Sequence, residues 1–247
     1  MTDDLRLVLG IQPVREVVRV HGGELARLLV ETKDNPRLEA LARFARDRGA
    51  KVERVPRREL DRLAKGGRHQ GVAALAPPLR VLGDGDLTVE PDTLMVILDG
   101  ITDPHNFGAT LRSAVALGAT GVLWGEHHAA PLTPATFRAS AGAVEHARLY
   151  QVRSLRGAVQ TLVGAGATVV ALEASAEAAL PEVALTGPAA IVVGAEDVGV
   201  GRGVRRVCTT QAKLPMSGVI DSLNASVAAA LALYEAGRQR SAVRSAT

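Results

Sequence analysis

Three short stretches of the chain carry polar side chains at spacings that could do chemistry. The first runs Asp99-Gly100-Ile101-Thr102-Asp103-Pro104-His105-Asn106-Phe107-Gly108-Ala109-Thr110-Leu111-Arg112. Asn106 can cap a helix that opens here. Arg112, on that same helix, is either a surface arginine or a planar fork suited to a phosphate. The second stretch, Gly194 to Gly203, holds Glu196 inside a glycine-rich turn. Glycines there let backbone N–H and C=O groups approach a ligand closely. The third runs from Leu214 and Met216 through Ser222, Leu223, Asn224 and Ser226 to Val227. It reads as a loop that becomes a helix, with Asp221 or Ser222 as a plausible N-cap. Free N–H groups and a positive dipole end at such a start can hold a small ligand by its edges. An ordinary capped helix accounts for the same residues.

Each stretch follows a short apolar run, and those runs must position the polar groups. Leu94–Leu98 and Ala189–Val193 are continuously apolar, as buried parallel strands are. Ala212–Leu214 reads as the last strand. Further strands are expected at Gly121–Trp124, Leu149–Val152 and Thr168–Leu172. They alternate with helices at Phe107–Leu117, Pro134–Gly142, Leu155–Val163 and Ser222–Arg240, with a helical turn at Val204–Cys208. The pattern is that of an α/β domain with a mainly parallel sheet, in which ligands sit beyond the carboxyl ends of the strands. In the last helix Leu223, Val227, Leu231 and Tyr234 share one face.

Upstream, residues 5–80 read as a smaller α/β module. Helices are expected over Gly10–Val20, from Asn35-Pro36 to Gly49, and at Glu59–Ala64. Strands are expected at Leu25–Val30, Val52–Val55 and Val72–Leu75. Pro77-Pro78, Gly83, Gly85 and Pro91 then break all pattern. The expected division is 1–77 for the first domain, 78–92 for a linker and 93–247 for the second.

Composition bounds the function. The chain has 247 residues, 47% of them hydrophobic and 22% charged, which suits a soluble protein with a large core. Aromatics are only 2%, which argues against a broad base-stacking platform. The start Met1-Thr2-Asp3-Asp4 lacks the pattern of a signal peptide, and no apolar run is long enough to span a membrane. Cys208 stands alone, so no internal disulfide forms, and the cytoplasm is the expected compartment. Charge is uneven: residues 1–80 hold 17 basic against 11 acidic groups, net +6, while the remainder is net −3. Within 43–68 ten basic residues face four acidic ones. Such a stretch is either a solvated face or the footprint of a polyanion. No Walker-type phosphate loop, G-x-G-x-x-G turn, G-x-S-x-G elbow or H-E-x-x-H spacing occurs, so neither a Rossmann nucleotide site nor a metal is expected.

Together the three stretches resemble the three motifs of the SpoU, or TrmH-type, RNA 2′-O-methyltransferases of the SPOUT superfamily. The likeness rests on Asp103-Pro104-x-Asn106-x-Gly108-Ala109-x-x-Arg112-Ser113-Ala114. It continues in Gly194-Ala195-Glu196-x-x-Gly199 and in Leu214-Pro215-Met216…Ser222-Leu223-Asn224-x-Ser226-Val227-Ala228. Gly10-Ile11 and His69-Gln70-Gly71-Val72 are similar to the subgroup that methylates a guanosine of 23S rRNA. Two positions depart from the family pattern: Asp197 stands where a glycine is usual, and Ala225 where a valine is.

The resemblance implies a SPOUT domain with a deep C-terminal trefoil knot, preceded by a small α/β, ribosomal L30e-like, substrate-binding domain. It implies methyl transfer from S-adenosyl-L-methionine to a ribose 2′-hydroxyl of RNA, with 23S rRNA the expected substrate. DNA is not an expected partner. The alternatives are a tRNA or resistance-type rRNA enzyme, or an RNA-binding protein without turnover. Carried over by position, Asn106, Arg112, Glu196, Ser222 and Asn224 form the catalytic group. Gly194, Leu214, Met216 and Leu223 hold the cofactor, and no metal takes part. The resemblance implies that Arg112 activates the hydroxyl; since a free guanidinium stays protonated, Arg112 is expected mainly to clamp a substrate phosphate while Asn106 and Glu196 orient it and the ribose, and Glu196 is the other candidate base. The resemblance also implies a homodimer built on the C-terminal helix and the first-motif helix. The stripe Leu223, Val227, Leu231 and Tyr234 suits that role or plain core packing.

Overall fold

The computed structural model describes residues 5–130, 132–220 and 222–245. Met1–Asp4 and Asp221, named above, lie outside the described residues. The chain forms two units, Met1–Leu79 with Leu132–His146, and Arg80–Pro131 with Ala147–Thr247.

In the first unit the order is β1 (Arg6–Leu9), α1 (Ile11–His21), β2 (Arg27–Glu31), α2 (Pro36–Asp47), β3 (Val52–Val55), α3 (Arg57–Ala64) and β4 (Val72–Ala76). The sheet runs β1-β4-β2-β3, antiparallel except for the β2–β3 pair. β1 is an addition to the expected pattern: four residues starting with an arginine give no periodicity to read. Asn35 caps α2 by accepting from the Arg37 amide at 3.0 Å, with Pro36 as the first helical residue. Val14, Val17 and Val18 of α1 are fully buried, as the spacing requires.

The second unit is built on β5 (Val81–Leu82), β6 (Leu94–Asp99), α4 (Pro104–Ala116) and β7 (Gly121–Gly125). The chain then returns to the first unit with α5 (Pro134–Ala139). It comes back as β8 (Leu149–Val152), α6 (Leu155–Gly164), β9 (Thr168–Leu172), β10 (Ala189–Gly194), α7 (Arg202–Arg205), β11 (Thr210–Ala212) and α8 (Ala225–Ser245). The seven-stranded sheet has the order β11-β9-β10-β6-β7-β8-β5, and every pair is parallel.

Two expectations about boundaries change. The stretch read as a patternless linker contributes an edge strand, Val81 and Leu82 pairing with Leu149 and Tyr150. Residues 132–146, expected with the second domain, pack in the first unit. There Arg6 donates to Glu145 at 2.6 Å and sits 5.4 Å from the Phe137 ring, and His146 pairs with Glu16 at 2.8 Å. The Glu145 side chain is 0% exposed, so this ion pair is deeply placed.

In the second unit the core lies between the sheet and its helices. Met95, Ile97, Val169, Ala190 and Val192 are buried with Val159 and Leu162 of α6. On α4, Phe107 meets Trp124 of β7 edge-on, with ring centroids 5.2 Å apart. Such a pair adds ~1 kcal/mol beyond its burial and fixes the start of α4 over the sheet. The far end of α8 is tied down by Arg240, which donates to the carbonyls of Leu185, Asp92, Thr93 and Gly187.

Candidate active site

The strand order sets four carboxyl ends side by side, those of β11, β9, β10 and β6. Asp99 at the end of β6 is opposite Gly194 at the end of β10. The loop before α4 and the glycine-rich turn therefore leave the sheet as neighbours. The segment after β11 comes to the same place and runs into α8.

These turns join through one carboxylate. Glu196 Oε1 accepts from Asn106 Nδ2 at 2.9 Å, from Asn224 Nδ2 at 2.7 Å and from the Ala225 amide at 3.3 Å. Asn224 Nδ2 also donates to Asn106 Oδ1 at 2.9 Å. Three residues from separate motifs thus share one hydrogen-bonded cluster, with Glu196 on the solvent side.

Two capping expectations are corrected. Asn106 does not cap α4. Asp103 does, accepting from the His105 and Asn106 amides at 3.2 Å each, with Pro104 as the first helical residue. A carboxylate one residue before proline is the better placed cap, and it leaves the Asn106 side-chain amide free for Glu196. Nor does Ser222 cap α8. The helix begins at Ala225, and Asn224 Oδ1 accepts from the Ser226 and Val227 amides at 3.0 and 3.4 Å.

Beside the cluster lies a cavity of about 320 Å³. Gly194, Leu214, Met216 and Leu223 all line it, as do Glu196 and Ser222. Its walls are apolar at Leu172, Val193, Leu214 and Leu223, and peptide edges at 194–199 complete it. The Gly199 amide closes the turn on the Ala195 carbonyl at 2.8 Å. A Cβ on Gly194 would lie 2.0 Å from the Gly199 carbonyl carbon, so no side chain fits there. The left-handed residue of this turn is Gly199, at φ 68°, and Asp197 does not need that conformation. The departure from glycine at 197 therefore costs no backbone strain.

Arg112 stands apart. It is exposed on α4, and no hydrogen bond or ion pair links it to any described residue. The structure brings Asn106, Glu196 and Asn224 together and does not bring Arg112 to them.

Two carboxylates were given no role in the sequence reading. Asp99 Oδ2 accepts from the Gly201 amide at 2.8 Å. Glu173 Oε1 accepts from the Val200 amide at 3.0 Å, while its other oxygen pairs with Arg205 at 3.1 Å. Together they pin the glycine-rich turn from below, and Glu173 also lines the cavity. No motif announces them; their only signal is position, each at or just after the end of a strand. Burial, with Asp99 and Glu173 close by, pushes the nearby Cys208 thiol up to about 11.

A parallel sheet whose strand-end loops gather a carboxylate–amide cluster and an apolar cavity defines a class of small-ligand enzyme sites. Comparison with known proteins gives the family. Residues 93–234 match the SpoU rRNA Methylase family, and residues 7–82 match a domain described as RNA 2′-O ribose methyltransferase substrate binding. The chain belongs to the SpoU rRNA methylase family. It is 38% identical over 246 residues to the 23S rRNA (guanosine-2′-O-)-methyltransferase RlmB of Pseudomonas syringae pv. tomato, covering 97% of this chain and 98% of that one. It is also 38% identical to an uncharacterized tRNA/rRNA methyltransferase of Mycolicibacterium vanbaalenii, covering 97% of this chain and 78% of the relative. Among solved structures, the SpoU methyltransferase AviRb of Streptomyces viridochromogenes superposes with a TM-score of 0.80 at 28% identity, covering 97% and 91% of the two chains. The same protein has been solved in complex with AdoMet.

Proposed function

We propose that this chain transfers a methyl group from S-adenosyl-L-methionine to the 2′-hydroxyl of a guanosine ribose in 23S rRNA. One observation carries the reading: the cavity lined by Gly194, Leu214, Met216 and Leu223 abuts the Glu196–Asn106–Asn224 cluster. The cavity fits the cofactor on its own terms. Its apolar walls suit a planar adenine, and the tight turn at Gly194, where no Cβ is tolerated, offers main-chain groups to the adenine edge. When bound, S-adenosyl-L-methionine supplies an electrophilic methyl on a sulfonium.

The remaining work falls to the chain. Asn106 and Asn224 hold the Glu196 carboxylate in one orientation, and its second oxygen is left to orient a ribose hydroxyl or take its proton. Ser222, on the cavity wall, faces the same ligand space. Arg112, exposed and without a partner among the described residues, is available to a substrate phosphate, whose two oxygens its fork matches.

The chain also acts as a homodimer in this reading. Val227, Leu231 and Tyr234 of α8 are 46%, 45% and 61% exposed, while Ala229, Ala232, Leu233 and Ala236 face the core. An apolar stripe turned outward on a long helix suits a second copy better than water. Substrate choice is supported by the first unit: the tRNA-modifying relative from A. aeolicus covers only 61% of this chain, whereas the RlmB relative spans it nearly whole.

The test is tritium transfer from labelled S-adenosyl-L-methionine to 23S rRNA transcripts, with 2′-O-methyl mapping in rRNA from a strain lacking the gene. One guanosine losing its methyl group in that strain is the expected result. Cofactor binding without transfer to any RNA would instead favour a binding protein, and transfer to tRNA alone would move the substrate.

A further inference from the structure

The first unit carries a concavity that the methyl-transfer site does not use. It lies between α1 and α2, with a volume of about 250 Å³, and is lined by Ile11, Gln12, Arg15, Arg37, Leu41 and Phe44. The floor is apolar. The rim carries two guanidinium groups and one side-chain amide.

The arginines here lack the ion pairs that several of their neighbours make. In the same unit Arg27 is paired with Glu53, Arg19 with Glu16 and Arg54 with Glu39. Arg15 and Arg37 have no carboxylate within ion-pair distance among the described residues. Instead the Arg15 guanidinium lies 5.7 Å from the centre of the Phe44 ring, and Arg48 lies 5.0 Å from it. Phe44 is one of only three phenylalanines in the chain, and it is partly buried rather than fully spent on the core. The cavity is also tied to the neighbouring 66–71 loop. Gln70 Oε1 accepts from the Ile11 amide at 3.0 Å, and that loop, with Arg57 and Arg68, borders a second concavity of about 300 Å³.

We propose that the α1–α2 cavity holds a single unpaired nucleotide of the RNA substrate. The base lies against Leu41 and Phe44, with a guanidinium plane as its other stacking surface. Gln12 reads a base edge, and Arg15 and Arg37 hold the flanking phosphates. This combination is how proteins grip splayed-out bases of RNA: an aromatic or guanidinium face for the ring and free cations for the backbone. An anion patch alone would not need Phe44 at its centre, and a hydrophobic peptide would not need two unpaired arginines at the rim. The composition argued against a broad stacking platform, and one pocket for one base needs none. The proposal rests on the RNA reading of this chain.

Two measurements on the full chain test it. The first titrates the isotope-labelled protein with the four nucleoside 5′-monophosphates and, separately, with inorganic phosphate, reading the amide resonances of Ile11, Arg37 and Phe44. Shifts with nucleotides but not with phosphate are expected. Equal shifts with phosphate, or none with any nucleotide, overturn the pocket. The second measures binding of a 23S rRNA transcript. Phe44→Leu is expected to weaken it about tenfold with an unchanged salt slope, since stacking carries no counterion release. The double variant Arg15→Ala/Arg37→Ala, at surface positions, is expected to lower that slope by about two. Transcript affinity unchanged in Phe44→Leu overturns the proposal. Wild-type tritium transfer to the same transcript is read in parallel; its absence would sink the functional reading whatever the nucleotides do.

Discussion

Two helix starts meet at the cluster, and they are built differently. At α4 the duties are divided: Asp103 satisfies the first amides, and Asn106, three residues on, turns its side chain to Glu196. At α8 one residue does both. Asn224 Oδ1 accepts from the helix amides, and its Nδ2 reaches Asn106 and Glu196. A dedicated cap lets a site residue change without unseating its helix. A shared one couples catalytic geometry to the stability of the last element.

The largest expected effect comes from the group joining both starts. Glu196→Gln replaces a carboxylate that accepts three N–H groups with an amide that competes as a donor. Methyl transfer measured in a single turnover should fall about 100-fold or more, with S-adenosyl-L-methionine affinity changed only a few-fold. Near-normal transfer would reduce Glu196 to a clip between two helices.

The asymmetry itself is tested by a pair of alanines. Asn224→Ala should lose transfer and also about 1 kcal/mol of stability in urea unfolding, as lost caps do. Asn106→Ala should lose transfer with the unfolding midpoint unmoved. Equal destabilisation by both would erase the distinction. Asp103→Ala should do the reverse of Asn106→Ala, costing about 1 kcal/mol while much of the transfer survives.

The last test reads labelling rather than transfer, at a thiol near the glycine-rich turn. The Cys208 thiol, pushed up to about 11 by burial and by Asp99 and Glu173, is almost wholly protonated at pH 8. Its alkylation should be about 100-fold slower than that of a free cysteine there, and should speed up as pH rises toward 11. Fast labelling at pH 8 would mean that the floor under the glycine-rich turn opens readily.

Much of the candidate site was readable because its residues lie in short local stretches. Asn106, Glu196 and Asn224 each sit in a short stretch whose glycines and prolines fix the backbone around them. The choice of cap was not readable with the same ease. Asp103 and Asn106 are both cap formers within one turn, and only the position of Pro104 separates them. The roles of Asp99 and Glu173 were invisible for a different reason. Their partners, Gly201 and Val200, depend on β9, β10 and β6 lying side by side, an order that no spacing along the chain reveals. β5 was lost because two residues leave no period to detect, and the outward turn of Val227, Leu231 and Tyr234 because helical spacing gives a face but not what it faces.

The Arg6–Glu145 pair has a consequence for anyone who would split this protein at Leu79. The chain enters the first unit twice, so one cut cannot free either part whole. Discarding the leading 79 residues would strand α5 and leave Glu145 without the arginine and the packing that now enclose it. Separate expression of the halves is therefore a poor test of what each does, and point changes within the intact chain are the better instrument.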